Sequence, residues 1–427
     1  MPDKGPIDWN ATFARRAERM RASEIRELLK VLDQPDIISF AGGIPDPALF
    51  PASAFSDAYA AILSSGESGP QSLQYSVSEG YLPLRRWIVQ HMARLGVACE
   101  VDNIAITSGS QQGLDYLGKL FLGAGDTVLV TAPTYLGALQ AFNAYEPRYD
   151  ILRLGQGNVT PSAYRDGAKA AGGRVALAYV VPDFANPTGE TLDEAARLRL
   201  LDLVEELGVP LLEDAAYESL RFEGERVPSL LALDLRRHGS IERSRVIYCG
   251  TFSKTLAPGL RVGWICAARD VVHRLVLAKQ AGDLHAATLT QMAMHRVAEA
   301  IYDDQVARNI AVYRVRRDAM LQALARHMPP GVSWTKPKGG MFVWVTLPEG
   351  LDGAELLAAS LRDARVAFVP GGAFFIDGSG ANTMRLNYSR PSEAAIDDGV
   401  KRLGVLIARS LAAGGAGLAA SSSRQAS

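Results

Sequence analysis

Residues 174–214, RVALAYVVPDFANPTGETLDEAARLRLLDLVEELGVPLLED, contain the unit from which the fold is read. An apolar run of strand length ends at Pro182, and a turn follows at Asn186-Pro187-Thr188-Gly189. A helical stretch then starts at Leu192, and a second apolar run closes at Leu211 to Asp214. The alternation recurs on either side: NIAITSG (103–109) before a helix from Ser110, DTVLVTAP (126–133) before another, then RVIYCGTFS (245–253) and RVGWICAA (261–268). It predicts an α/β fold with a mostly parallel, helix-covered sheet in a large domain at 51–300. Beyond the arginine-dense stretch Tyr313 to Arg326 the pattern changes to GVSWTKPKGGMFVWVTLP (331–348), a helix at 354–361, ARVAFVPG (364–371), MRLNYSR (384–390) and a helix from Glu393. This reads as a smaller α+β unit at 301–411. Residues 1–50 read as an N-terminal arm, helical between Phe13 and Leu32, and the start of that small unit; the polar stretch 1–10 and the tail 412–427 read as disordered.

Composition narrows the function. In 427 residues, 45 basic side chains face 46 acidic ones, so bulk charge favours neither nucleic acid nor a membrane surface. Cys99, Cys249 and Cys266 form no CxxC pair, which gives neither a metal site nor a redox couple and fits a reducing, cytoplasmic setting. No apolar run approaches the ~20 residues of a membrane span.

Ligands of open α/β sheets gather at the carboxyl ends of the strands, so the residues after each apolar run decide the chemistry. Ser108-Gly109-Ser110-Gln111-Gln112-Gly113 opens a helix whose free N–H groups suit a phosphate, although small residues also simply cap helices. The glycine spacings of dinucleotide and P-loop sites are absent. Tyr135 either stacks on a planar ring or fills the core, and Asn186 either donates to a ligand oxygen or marks a plain turn. Asp214, with Tyr217 three residues on, either meets a cation or several donors or caps a helix. Between Thr251 and Arg261 lie three hydroxyls and Lys254, which Phe252, Leu256 and Pro258 flank. Such surroundings partly desolvate the lysine, lower its pKa and free an amine able to form a Schiff base. A phosphate cradle of Ser110, Gln111, Thr251, Ser253 and Arg261, a stacking ring at Tyr135, an acid at Asp214 and an amine at Lys254 together match the needs of pyridoxal 5'-phosphate.

Through LQYSVSEGYLPLR (73–85), ITSGSQQGLD (106–115), APTYLGAL (132–139), NPTGETL (186–192), LLEDAAYESLRF (211–222), GTFSKTLAPGLRVGW (250–264), PKGGMFVWV (337–345), VAFVPGGAFF (366–375) and MRLNYS (384–389), the chain resembles the fold-type I, class I and II pyridoxal-phosphate aminotransferases. The stretch SEIRELLKVLDQPDIISFAGGIPDPALFP (23–51) resembles their 2-aminoadipate and kynurenine aminotransferase branch. The resemblance implies a mostly parallel seven-stranded sheet in the large domain. It also implies that Lys254 is the Schiff-base lysine, that Asp214 partners the pyridinium nitrogen, and that Tyr217 and Asn186 bond the ring's 3'-oxygen. Ser110, Gln111, Thr251, Ser253 and Arg261 would hold the phosphate, with Thr251 standing where relatives more often have serine. Tyr75 would cross to the neighbouring cofactor, making the active unit a homodimer with shared sites.

Arg385 resembles the arginine that grips the substrate α-carboxylate as a bidentate fork, and Gly43 would let the backbone approach the substrate or form a plain turn. Arg26 and Ser23, on an arm that also swings aside for apolar side chains, would meet a distal carboxylate; Arg26 otherwise pairs with Glu27 or Asp33. His285 would line the substrate mouth without a catalytic role. The implied reaction moves the amino group of an L-amino acid (2-aminoadipate, glutamate, aromatic or branched-chain) to a 2-oxo acid such as 2-oxoglutarate, in ping-pong order. The alternative is a lyase or racemase on the same fold, and a carboxylate clamp at Arg385 disfavours decarboxylation. Only ~40 residues precede the FAGG loop, too few for the winged helix of a regulator that joins such a domain to a DNA-binding module, and no metal is called for.

Overall fold

In chain order the strands are β1 (Ile38–Ser39), β2 (Ile104–Thr107), β3 (Thr127–Val130), β4 (Arg148–Ile151), β5 (Val175–Val180), β6 (Leu211–Asp214), β7 (Val246–Thr251), β8 (Gly263–Cys266), β9 (Ser333–Trp334), β10 (Phe342–Thr346), β11 (Val366–Ala367), β12 (Val369–Pro370) and β13 (Thr383–Asn387). The structure is a computed structural model describing residues 7–20, 36–153 and 159–424. Seven strands form one sheet in the order β2-β8-β7-β6-β5-β3-β4, parallel throughout except for β8, which runs against both its neighbours. The predicted α/β sheet is thus present. Its apolar runs lack polar alternation because both faces are covered: on β7, Ile247 and Cys249 join one core layer and Val246 and Tyr248 the other. Only the edge strand β4 alternates, exposing Arg148 and Asp150, charges that discourage pairing with another chain.

Helices Ser110–Phe121, Leu136–Asn143 and Arg269–Gly282 cover one face, contributing Leu117, Phe142 and Leu275. Helices Leu82–Arg94, Glu194–Leu207 and Leu230–His238 cover the other, contributing Ile88, Leu201 and Leu231. The two-residue period of β6 sends its adjacent acids to opposite faces. Glu213 accepts the Leu230 and Leu231 N–H groups at 2.8 and 2.9 Å, filling the free donors of a helix start. Asp214 faces the other side.

The smaller unit is an antiparallel sheet, β12-β13-β10-β9, in which Arg385 of β13 pairs with Trp344 and Val369. β1 joins β11 in parallel, so the segment after residue 36 packs with the C-terminal part of the chain. The pattern change read at residue 300 falls inside one 40-residue helix, Thr288–His327. Val297 and Tyr302 of that helix join one core layer, while Tyr313, Met320 and Leu324 join the one shared with the small sheet.

Two expectations differ from the structure. In place of a polar end running into a helix, residues 7–20 form short 3-10 turns at Trp9–Ala11 and Arg15–Arg19, held by the Arg15–Glu146 ion pair at 2.7 Å and by Arg19 donating to the Pro147 carbonyl. The tail expected to be disordered continues the last helix, Glu393–Arg424. Its alanines favour helix and no proline interrupts it, which outweighs the glycines.

Candidate active site

The antiparallel β8 is what assembles the site. Thr107, Thr251 and Gly263 lie abreast on three adjacent strands, so the carboxyl ends of β2 and β7 meet the start of β8. Ser110 and Gln111 then open a helix beside Thr251, Ser253 and Arg261. Arg261 takes a left-handed backbone (φ 53°) and its Nη2 donates to the Ser108 carbonyl at 3.4 Å. Gly109 has φ 80°, a backbone conformation that favours glycine, and a Cβ there would fall 2.2 Å from Arg261 Nη2, so any larger residue would push the guanidinium aside. The Ser253 N–H donates to Thr251 Oγ1 at 3.1 Å, and the two hydroxyls lie 2.8 Å apart. These donors, a guanidinium and a helix start make a cup for a dianionic group.

Alongside the cup, Gln111 Nε2 donates to the Gly137 carbonyl at 2.6 Å. The half-buried Tyr135 ring stands over Gly137, where a Cβ would come within 2.4 Å of it. Asp214 is buried; its Oδ2 accepts from the Tyr179 hydroxyl at 2.8 Å, while its Oδ1 has no partner among the described residues. Burial pushes the carboxyl up to about 6 against the pull of Tyr179. An orphaned carboxylate oxygen in a dry site calls for a ligand N–H.

Lys254 donates to the Gly43 carbonyl at 3.0 Å and stands 5.7 Å from the Tyr217 ring centre. Burial, and then the nearby Arg385 charge, lower its amine to about 8. Arg385 is 1% exposed. It donates to Asn186 Oδ1 at 2.7 Å and to the Ala41 carbonyl at 2.9 Å, and Asn186 donates onward to the Tyr217 hydroxyl at 3.5 Å. The guanidinium carbon lies 4.4 and 5.2 Å from the Phe342 and Phe374 ring centres. Its Nε is buried without a partner, and among the described residues no carboxylate pairs with it. Burial lowers it to about 10, leaving it charged at neutral pH. A buried cation without a counter-ion is costly, so this geometry suits an incoming carboxylate.

The structure therefore brings Ser110, Gln111, Tyr135, Asn186, Asp214, Tyr217, Thr251, Ser253, Lys254, Arg261, Arg385 and Gly43 to one end of the sheet. Tyr75 stands apart, 79% exposed and edge-on to His285 at 6.0 Å. Arg26 and Ser23 lie outside the described residues. Sequence reasoning missed Tyr179, whose signal was the strand period that turns it and Asp214 to one side. It also missed Phe342 and Phe374, which reach Arg385 from the neighbouring strand and a following turn.

The Asp214 carboxyl gives a pH prediction for the ligand-free protein. Its folded value of about 6 exceeds the unfolded 3.8, so its contribution to stability is present below 3.8 and lost as pH rises through 6. Asp214→Asn is expected to gain on the order of 2–3 kcal/mol relative to the parent between pH 4 and pH 7, in denaturant unfolding at both pH values. A constant difference between the two would remove the buried-carboxylate account.

A family model described as aminotransferase class I and II matches residues 48–403. The chain is 44% identical over 399 residues to the 2-aminoadipate transaminase of Thermus thermophilus, covering 93% of this chain and 97% of that one. It is 42% identical over 402 residues to aromatic-amino-acid aminotransferase 1 of Thermococcus litoralis, covering 93% and 94%. The crystal structure of LysN, an alpha-aminoadipate aminotransferase from Thermus thermophilus complexed with N-(5'-phosphopyridoxyl)-L-leucine, matches with a TM-score of 0.85 at 42% identity. That match covers 95% of this chain and 100% of the other.

Proposed function

The chain belongs to the class I and II aminotransferases and is a pyridoxal-phosphate-dependent aminotransferase; from that premise we propose the roles of its residues and its substrates. The observation that carries the reading is the buried guanidinium of Arg385, without a carboxylate partner among the described residues, beside the buried amine of Lys254. When bound, pyridoxal phosphate supplies an aldehyde that condenses with amines and a protonated ring that takes up the electron pair left on a substrate Cα. The residues fit it: Asp214, whose Oδ1 is without a partner among the described residues, would pair with the ring N–H, and the cup around Gly109 would take the phosphate. Ser110, Gln111, Thr251, Ser253 and Arg261 would hold that phosphate, Tyr135 would cover the ring, and Asn186 and Tyr217 would bond its 3'-oxygen.

Arg385 grips the substrate α-carboxylate, oriented by Asn186 and the Ala41 carbonyl and shielded from water by Phe342 and Phe374. Lys254, at about 8, keeps part of its amine neutral near pH 7 and so takes the proton from Cα and returns it. Gly43 borders the approach: a Cβ there would stand 3.4 Å from the Phe342 ring and 3.7 Å from Arg385 Nη2, in space that a substrate carboxylate would use.

The donor is an L-amino acid of the 2-aminoadipate, glutamate, aromatic or branched-chain type and the acceptor a 2-oxo acid such as 2-oxoglutarate, a range supported by the relatives' named activities. Two copies form the active unit, with Tyr75 completing the partner's phosphate site. Leu73, Tyr75 and Val77 stand 73%, 79% and 57% exposed, an apolar edge suited to a second copy. No helix among the described residues is long and apolar enough to cross a membrane, and a cytoplasmic setting is supported by the three unpaired cysteines. Arg26 and Ser23 read a distal carboxylate. In kcat/KM measurements Arg26→Ala is expected to lose roughly tenfold or more with 2-aminoadipate and glutamate and little with leucine or phenylalanine, the loss of one charge-assisted hydrogen bond. Equal losses on both classes would leave Arg26 as scaffold.

A further inference from the structure

Behind the 108–109 turn lies a charged cluster to which no role has been given above. Lys279, its side chain fully buried, donates to Asp283 Oδ1 at 3.1 Å and to Gln112 Oε1 at 3.2 Å. Asp283 Oδ2 accepts from Gln112 Nε2 at 2.7 Å and from the Ser108 hydroxyl at 3.4 Å, and Oδ1 accepts from the Tyr116 hydroxyl at 3.3 Å. Gln112 Oε1 also accepts the Ser108 backbone N–H at 2.8 Å. An amide's two ends have nearly the same shape, so the charges around it decide which end faces where. Here an ammonium holds the oxygen and a carboxylate holds the NH2, leaving only the orientation that offers an acceptor to Ser108.

The Ser108 carbonyl in turn receives Arg261, and the next residue, Gly109, sits against the same guanidinium. We propose that Gln112, locked by the Lys279–Asp283 ion pair, is a positioning residue for the phosphate of pyridoxal phosphate: it fixes the Ser108–Gly109 turn so that Arg261 and the first N–H groups of helix Ser110–Phe121 converge on one point. Such an ion pair, with Lys279 buried and Asp283 part-exposed, adds little net stability, whereas it sets a direction. The inference rests on the phosphate roles proposed for Ser110 and Arg261.

Two variants that leave the net charge unchanged test it: Gln112→Met, and the double variant Lys279→Met/Asp283→Leu. The cofactor's release rate on dilution of the holoenzyme is measured, together with the affinity of the emptied protein for pyridoxal 5'-phosphate, for pyridoxal without its phosphate, and for inorganic phosphate. The expected result is cofactor release tenfold or more faster and weaker inorganic phosphate binding, with pyridoxal affinity unchanged and the phosphorus resonance of the bound cofactor shifted. Release within twofold of the parent, or equal weakening towards the cofactor and pyridoxal, would overturn the inference. If Gln112→Met does not fold, the double variant is read in the same way. A parent that retains no pyridoxal phosphate would instead overturn the underlying phosphate roles.

Discussion

Lys254→Ala is expected to transaminate roughly 10⁴-fold more slowly than the parent, the upper range of what a positioned proton carrier supplies. The size follows from the residue's position. Its amine is buried, lowered to about 8 by that burial and by the Arg385 charge, and directed at the Gly43 carbonyl. The variant should keep its fold, because an amine that burial disfavours in its charged form contributes little to holding the protein together. For that group the sign is definite: its folded value lies below the unfolded 10.5, so its contribution is present above 10.5 and lost as pH falls through about 8. Circular dichroism and single-turnover rates with a saturating donor separate the two effects. A folded variant turning over within tenfold of the parent would remove Lys254 from the mechanism.

Arg385→Leu is expected to lower kcat/KM for amino acids by roughly 10²–10⁴-fold, the range for losing one side of a buried charged contact. Cofactor retention should fall far less than kcat/KM, because the guanidinium belongs to no part of the phosphate cup and reaches the cofactor's surroundings only through Asn186. Arg385→Lys should recover little of the loss, since an ammonium is a point charge without the planar fork that fits between Phe342 and Phe374. The discriminating substrate is an amine without an α-carboxylate. The parent should use it poorly, and Arg385→Leu no worse. A proportional loss on that amine would mean that Arg385 supports the pocket as a whole.

Much of this site was legible because strand ends carry it. Asp214, Asn186, Tyr135 and Lys254 each follow an apolar run, and that position in an α/β sheet is where ligands sit. Arg261 was legible as a member of the phosphate cradle, but its contact was not. Its place opposite Ser108 depends on β8 running antiparallel, and RVGWICAA (261–268) carries no mark of direction. Tyr179 was hidden in a run whose every residue is buried, where a tyrosine reads as core until its hydroxyl is seen on Asp214. Gln112 was quoted only as part of a small-residue turn, because its partners Lys279 and Asp283 lie more than 160 positions away. The tail misled for a local reason: glycine and serine at 412–423 suggested disorder, while the alanines between them favour helix.

Whether Lys254 carries the cofactor, as proposed, is tested most directly by reduction with borohydride followed by peptide mapping. Treating the holoenzyme with borohydride fixes a lysine–pyridoxyl bond, and mass spectrometry of the digest then finds the modified residue. The predicted result is one modified lysine, Lys254, with prior addition of a good amino donor preventing the modification. Modification at another lysine, or an unmodified Lys254 in a protein that holds its full cofactor complement, would contradict the account.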